Sequence, residues 1–93
     1  QRLAYAAEHH RAGYTRSRAL AETKLATLLM ATGDPDHAAA LGEKALDSAG
    51  ALRSRRALHE VWELHRYAGR HPKVQKAVQL RERIGIVLGD KRA

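Results

Sequence analysis

Glycine divides an otherwise strongly helix-forming sequence into short segments. The stretches between Gly13, Gly33, Gly50 and Gly69 are rich in alanine, leucine, arginine and glutamate, which favour the α-helix. β-Branched and aromatic residues are too sparse, and alternate over too short a distance, to support a sheet. Because the connecting turns are short, neighbouring helices must pack antiparallel as helical hairpins. The sequence therefore predicts an all-α fold.

The turn residues predict about five helices. We expect them at residues 2–12, 17–32, 35–49, 52–68 and 73–88, with a frayed tail over 89–93. The start of the third helix is the best defined, because Asp34 suits the N-cap position and Pro35 suits the first helical position. Helical spacing predicts a core that comprises Leu25, Leu29, Ala38, Leu41, Ala45, Leu58, Trp62 and Ile84.

Length and composition limit the classes of protein to which the chain can belong. Ninety-three residues make one small domain, and the absence of cysteine excludes disulfides and thiolate metal sites. No stretch approaches the roughly 20 apolar residues of a membrane span, so we expect no membrane contact and a cytoplasmic location. The first predicted helix starts at the very beginning of the sequence, directly after Gln1. We therefore expect residues 1–93 to be one helical domain from the C-terminal part of a longer chain.

The positive charge is concentrated in one half of the sequence. Residues 1–50 are neutral overall, and residues 51–93 carry the whole net charge of +7. The densest basic run comprises Arg53, Arg55 and Arg56, at the start of the predicted fourth helix, where cations oppose the helix dipole. Contact with an anionic partner is one interpretation. The other is a solvated face held by weak pairs with Glu60 and Glu63.

Residues 19–52 resemble one tetratricopeptide repeat of 34 residues. The resemblance rests on the pair Leu25–Ala26, on a Gly-Asp turn at Gly33, and on the small residues Ala38 and Ala45. Three positions depart from the pattern, which has tryptophan, a large aromatic residue and proline where this chain has Glu22, Gly42 and Gly50. The resemblance implies a tetratricopeptide-like α–α hairpin repeat, stacked as a short right-handed solenoid.

A second resemblance covers most of the chain. Residues 18–26, 33–36, 46–56 and 65–71 are similar to the C-terminal tetratricopeptide region of actinobacterial regulators with an N-terminal Xre-type helix-turn-helix domain. It implies a transcriptional regulator whose C-terminal part dimerises, senses a ligand or docks another protein. DNA binding would then belong to a domain outside this segment. The alternative is a general tetratricopeptide adaptor for a peptide or an acidic protein.

Two sets of residues are candidates for a binding groove. The tetratricopeptide resemblance implies a concave surface at Thr23, Thr27 and Met30, which could accept an extended peptide or a small ligand. The alternative is two exposed threonines and a methionine that fills a gap. His65 lies on an apolar helical stripe. It is either a histidine at the edge of the core, with a ring nitrogen bonded to a backbone carbonyl, or a polar group that lines a groove.

The sequence gives no pattern typical of catalysis, of a metal site or of direct DNA reading. The six histidines lack the i, i+3 or i+4 pairing that a helical metal site needs. We find no phosphate-binding loop, nucleophile elbow or helix-turn-helix pattern. The prediction is therefore a non-catalytic module without cofactor or metal, which binds a protein or peptide and dimerises, without direct nucleic acid contact.

Overall fold

Four α-helices account for most of the described part of the chain. The computed structural model describes residues 2–48 and 54–92, with the side chains of residues 17–48 and 54–89. The helices are α1 (Arg2–Thr32), α2 (Pro35–Asp47), α3 (Arg55–Ala68) and α4 (Gln75–Arg92). No strand occurs within these ranges. The all-α prediction is confirmed.

The prediction of about five helices is wrong for these residues, because the first two predicted helices form one. α1 passes through Gly13 without a break. An isolated glycine costs a helix only about 1 kcal/mol relative to alanine. Ending the helix there would leave its last carbonyls without intrahelical partners. Without a proline behind it, Gly13 is too weak a signal to stop the helix.

The turn between α1 and α2 follows the predicted chemistry. Gly33 adopts a φ of +96°, a conformation that only glycine adopts without steric cost, and it ends α1. The Asp34 side chain caps α2 by accepting a hydrogen bond from the backbone N–H of His37 at 3.4 Å. Pro35 is the first residue of the helix. The chain therefore reverses within two residues, and α2 packs against α1.

The second hairpin starts later in the chain than predicted. α2 ends at Asp47, and Gly50, the predicted stop, lies outside the described residues. α3 begins at Arg55 because the Ser54 hydroxyl accepts a hydrogen bond from the Ala57 N–H at 3.0 Å, an N-cap that the sequence analysis missed.

The end of α4 also differs from the prediction. The expected tail from residue 89 is helical as far as Arg92. Gly89, like Gly13, has no proline behind it to enforce a stop. The predicted end of α3 at Gly69 is confirmed.

The two hairpins pack side by side around one core. α1 contacts α2 and α3, and α4 contacts the same two helices. The buried core cluster comprises Ala26, Met30, Ala38, Ala39, Val61, Leu64, Ala68, Ala77, Leu80, Ile84 and Leu88. Most of its largest side chains come from the second hairpin, formed by α3 and α4. They are Val61, Leu64, Leu80, Ile84 and Leu88.

The predicted core is right for most positions and wrong for α1. Ala38, Ala45 and Ile84 are buried, and four further residues pack partly buried against the core, namely Leu29, Leu41, Leu58 and Trp62. Leu25 is 46% exposed, because the buried stripe of α1 comprises Ala19, Thr23, Ala26 and Met30. These positions recur every three or four residues along one helical face, and Leu25 lies off that face.

Gly42 lies where α2 packs closely against Leu64 of α3 and Leu80 of α4. A Cβ atom added there would lie 2.8 Å from Leu80 Cδ2 and 3.0 Å from Leu64 Cδ2. These distances are shorter than normal van der Waals contacts. The tetratricopeptide pattern has a large aromatic residue at this position, whereas here the missing side chain provides the room that Leu80 occupies.

Candidate functional site

A cleft of about 370 Å³ opens between the last turn of α3 and the middle of α4. The apolar part of its lining comprises Ala68, Gly69, Pro72, Val78 and Gly85. The polar part comprises His65, Arg81 and Glu82. The cleft therefore combines an apolar lining with one basic, one acidic and one imidazole group, as small-molecule sites commonly do.

Helical spacing on both helices builds this cleft. On α4, Val78, Arg81, Glu82 and Gly85 share one face, since residues three and four apart are neighbours. The space beside Gly85 is open, because a Cβ added there would meet no heavy atom within 4 Å. Of the cleft's polar residues, the sequence analysis identified His65 alone. Arg81 and Glu82 could have been indicated by Gly85, which follows them by one helical turn.

Arg81 has no carboxylate partner among the described side chains. The other arginines that form ion pairs there do so with nearby acids: Arg18 with Glu22, Arg66 with Glu63, and Arg83 with Glu43 and Asp47. Arg81 instead lies beside the end of α3, where a Cβ added to Gly69 would be 3.3 Å from its Nε. Its exposed guanidinium is therefore available to an anion.

His65, for which the sequence left a place at the core edge or in a groove as alternatives, lines the cleft. Its ring contacts Trp62 edge to face, with the ring centroids 5.2 Å apart. Partial burial lowers the pKa of His65 below its usual value, and the positive charge of Arg81 lowers that pKa further. The imidazole is consequently neutral at pH 7 and can donate or accept a hydrogen bond.

The lowered pKa predicts that the protein loses stability in mild acid. The unfolded chain, with a histidine pKa of about 6.5, takes up a proton at His65 before the folded chain does. The free energy of unfolding should therefore fall as pH decreases below about 6.5. We expect urea denaturation between pH 7.5 and 5.5 to show a weaker pH dependence for His65→Gln than for the unaltered protein.

A matched control separates this effect from the titration of other groups. His59 is exposed on the same helix, so His59→Gln should retain the original pH dependence. Equal pH dependence in the unaltered protein and in His65→Gln would contradict the prediction.

Among the described residues, the histidine that bonds a backbone carbonyl is His71, whereas one interpretation of the sequence gave this role to His65. His71 Nε2 lies 2.7 Å from Met30 O, and since a carbonyl oxygen only accepts, Nε2 donates the hydrogen bond. Met30 is in the last turn of α1, where helix carbonyls lack an intrahelical partner. His71, in the turn between α3 and α4, thus caps the C-terminal end of α1.

The predicted groove at Thr23, Thr27 and Met30 is not an open surface in this structure. Thr23 and Met30 are 2% and 1% exposed, and Met30 belongs to the core. The Thr23 hydroxyl donates to Ala19 O at 2.8 Å, and the half-buried Thr27 hydroxyl donates to Thr23 O at 3.0 Å. These hydroxyls bond within their own helix, so Thr23 and Met30 serve packing between helices.

The described part of the basic run, Arg55 and Arg56, is not in the cleft lining. Arg55 and Arg56 are exposed in the first turn of α3, and Arg53 lies outside the described residues. Two cations at the positive end of a helix destabilise that end slightly unless an anion approaches. Arg55 and Arg56 form a basic surface at the start of α3, and His65 lies in the last turn of the same helix.

The described residues provide neither a metal-binding cluster nor a membrane-spanning helix. They contain no group of three or more histidine, cysteine, aspartate or glutamate side chains that could hold a metal ion. None of the helices in the described ranges has a stretch both long and apolar enough to cross a membrane.

Comparison with models of known protein families, with curated proteins and with solved structures finds no match to this chain.

Proposed function

We propose that this chain is a non-catalytic interaction or sensor module. The observation that carries the proposal is the cleft between α3 and α4, where Arg81 lies without an acidic partner among the described side chains. The described residues that line the cleft include no hydroxyl or thiol nucleophile. Its polar groups are suited to holding an anionic group rather than to transforming it.

The module would serve a bacterial transcriptional regulator. The resemblance to the C-terminal tetratricopeptide region of Xre-type regulators supports this context. Two hairpins around one core are also compatible with a tetratricopeptide-like repeat, in which helical pairs stack into a right-handed solenoid. DNA binding would belong to a separate helix-turn-helix domain of the same protein, which would work as a dimer in the cytoplasm.

A second function, that of an adaptor for a peptide or an acidic protein, is favoured by the basic surface on α3. Arg55 and Arg56 are exposed, and the second half of the chain carries the whole net charge of +7. Such a surface attracts acidic partners with an affinity that falls as salt increases.

Sequencing the coding region upstream of Gln1 tests the proposal directly. The expected result is a helix-turn-helix pattern in the same reading frame. Light scattering on the complete protein should then give the mass of a dimer. Further helical repeats without a DNA-binding domain would overturn the regulator proposal and support the adaptor.

A further inference from the structure

We propose that the cleft between α3 and α4 binds a small amphiphilic monocarboxylate, with the carboxylate on the Arg81 guanidinium and the apolar body against Ala68, Pro72 and Val78. The inference deepens the proposed sensor function and rests on it, because it names the class of ligand that the module would detect. Four features of the cleft carry it.

The first feature is size. A cleft of about 370 Å³ lies at the lower end of the range of about 300–1,000 Å³ that is typical of small-molecule sites. It has room for a compact ligand with one ring or a short aliphatic chain, and the apolar residues supply the surface that such a body would cover.

The second feature is the state of Arg81. A guanidinium presents a planar set of donors that matches both oxygens of a carboxylate. Among the described side chains Arg81 meets no aspartate or glutamate, although Glu82 is its neighbour in sequence and lines the same cleft. The donors of Arg81 are therefore open to a carboxylate from solution.

The third feature favours one negative charge over two. Among the described side chains Arg81 is the one permanent cation that lines the cleft, and Glu82 would repel a second negative charge on the ligand. His65 is neutral near pH 7 and contributes a hydrogen bond without a charge. A phosphate dianion therefore fits this cleft less well than a carboxylate.

The fourth feature is the pair of glycines in the lining. Gly69 lets the Arg81 side chain lie close to the end of α3, since an added Cβ would be 3.3 Å from Nε. Gly85 leaves open space where a side chain would project, and it does so at a cost of about 1 kcal/mol of helix stability relative to alanine. A large side chain at position 85 would occupy part of this space.

Phenylacetate is a suitable probe, with phenylacetamide and phenyl phosphate as matched comparisons. In a titration of the complete chain followed by NMR, phenylacetate should shift the backbone amide signals of Gly69 and Gly85 and the ring signals of His65. We expect phenylacetate to bind at least 10-fold more tightly than either comparison. Equal binding of phenylacetamide, or no shift at these residues, would overturn the inference.

Substitutions test the same assignment independently. Arg81→Gln should weaken phenylacetate binding about 10- to 100-fold, the loss expected for a hydrogen bond to a charged group. Gly85→Leu should fill the cleft and abolish binding. Gly89→Leu is the matched control, because Gly89 lies one turn further along α4, in open space and outside the cleft lining.

The outcomes separate this inference from the regulator proposal. Arg81 is exposed, so Arg81→Gln should remain folded, and circular dichroism checks this for each variant. Unchanged phenylacetate binding by folded Arg81→Gln would overturn the ligand assignment, even if a helix-turn-helix domain lies upstream. Binding that depends on Arg81, in a protein without such a domain, would uphold the ligand class and contradict the regulator.

Discussion

Replacing Leu80 with alanine should lower the free energy of unfolding by about 3 kcal/mol. Leu80 is completely buried on α4 and belongs to the core cluster shared by the two hairpins. The substitution removes apolar contacts and leaves a cavity, and both effects destabilise the folded state. Urea denaturation followed by circular dichroism measures the loss.

Ile86 provides the matched control for Leu80. It lies on the same helix but is 71% exposed, so Ile86→Ala should change the free energy of unfolding by no more than about 0.5 kcal/mol. Similar losses of unfolding free energy in Leu80→Ala and Ile86→Ala would contradict the burial of Leu80 and the exposure of Ile86.

Replacing Gly42 with leucine should also destabilise the protein, by about 3 kcal/mol. The first added atom would lie 2.8 Å from Leu80 Cδ2, and the rest of the new side chain has no room without separating the helices. The better helix propensity of leucine offsets only about 1 kcal/mol of this cost. Gly89→Leu gains the same propensity in open space and should not destabilise the protein.

A double variant checks that the cause is the contact with Leu80. In Gly42→Leu combined with Leu80→Ala, the new leucine can occupy part of the space that Leu80 leaves. The double variant should therefore be more stable than the sum of the two losses predicts, by roughly 0.5–3 kcal/mol. Strict additivity would mean that the two sites do not share the same space.

Much of the fold could be predicted where local chemistry decides it. The sequence at Gly33, Asp34 and Pro35 indicates a helix stop, a cap and a start, and the structure has all three. The isolated Gly13 and Gly89 were over-interpreted, because one glycine costs a helix less than the hydrogen bonds that a break would forfeit. The two errors share one physical cause.

The inward face of α1 was harder to predict. Apolar periodicity favoured Leu25, whereas the helix buries Ala26 and Met30 and leaves Leu25 and Leu28 largely exposed. The buried positions Ala19, Thr23, Ala26 and Met30 recur every three or four residues and form one stripe of α1, the helix that contacts both α2 and α3. Which stripe of α1 is buried depends on the position of α2 and α3, which the sequence of α1 does not encode locally.

In the candidate site, too, local sequence indicates some residues, and only the three-dimensional arrangement reveals the others. His65 stood out because it interrupts an apolar stripe, and it does line the cleft. Arg81 looked like one of many surface arginines, since its importance depends on which acidic side chains lie near it in space. His71 and Met30, 41 residues apart, form a hydrogen bond that no local pattern predicts.

That hydrogen bond has a consequence for the cooperativity of unfolding. Stacked hairpins that touch only through side chains can lose an outer hairpin while the remainder stays folded. Here, opening the second hairpin would take His71 away from Met30 and leave a carbonyl at the end of α1 without its donor. The same turn carries Gly69 and Pro72, which line the cleft. A ligand that holds this turn in place would therefore raise the melting temperature of both hairpins together.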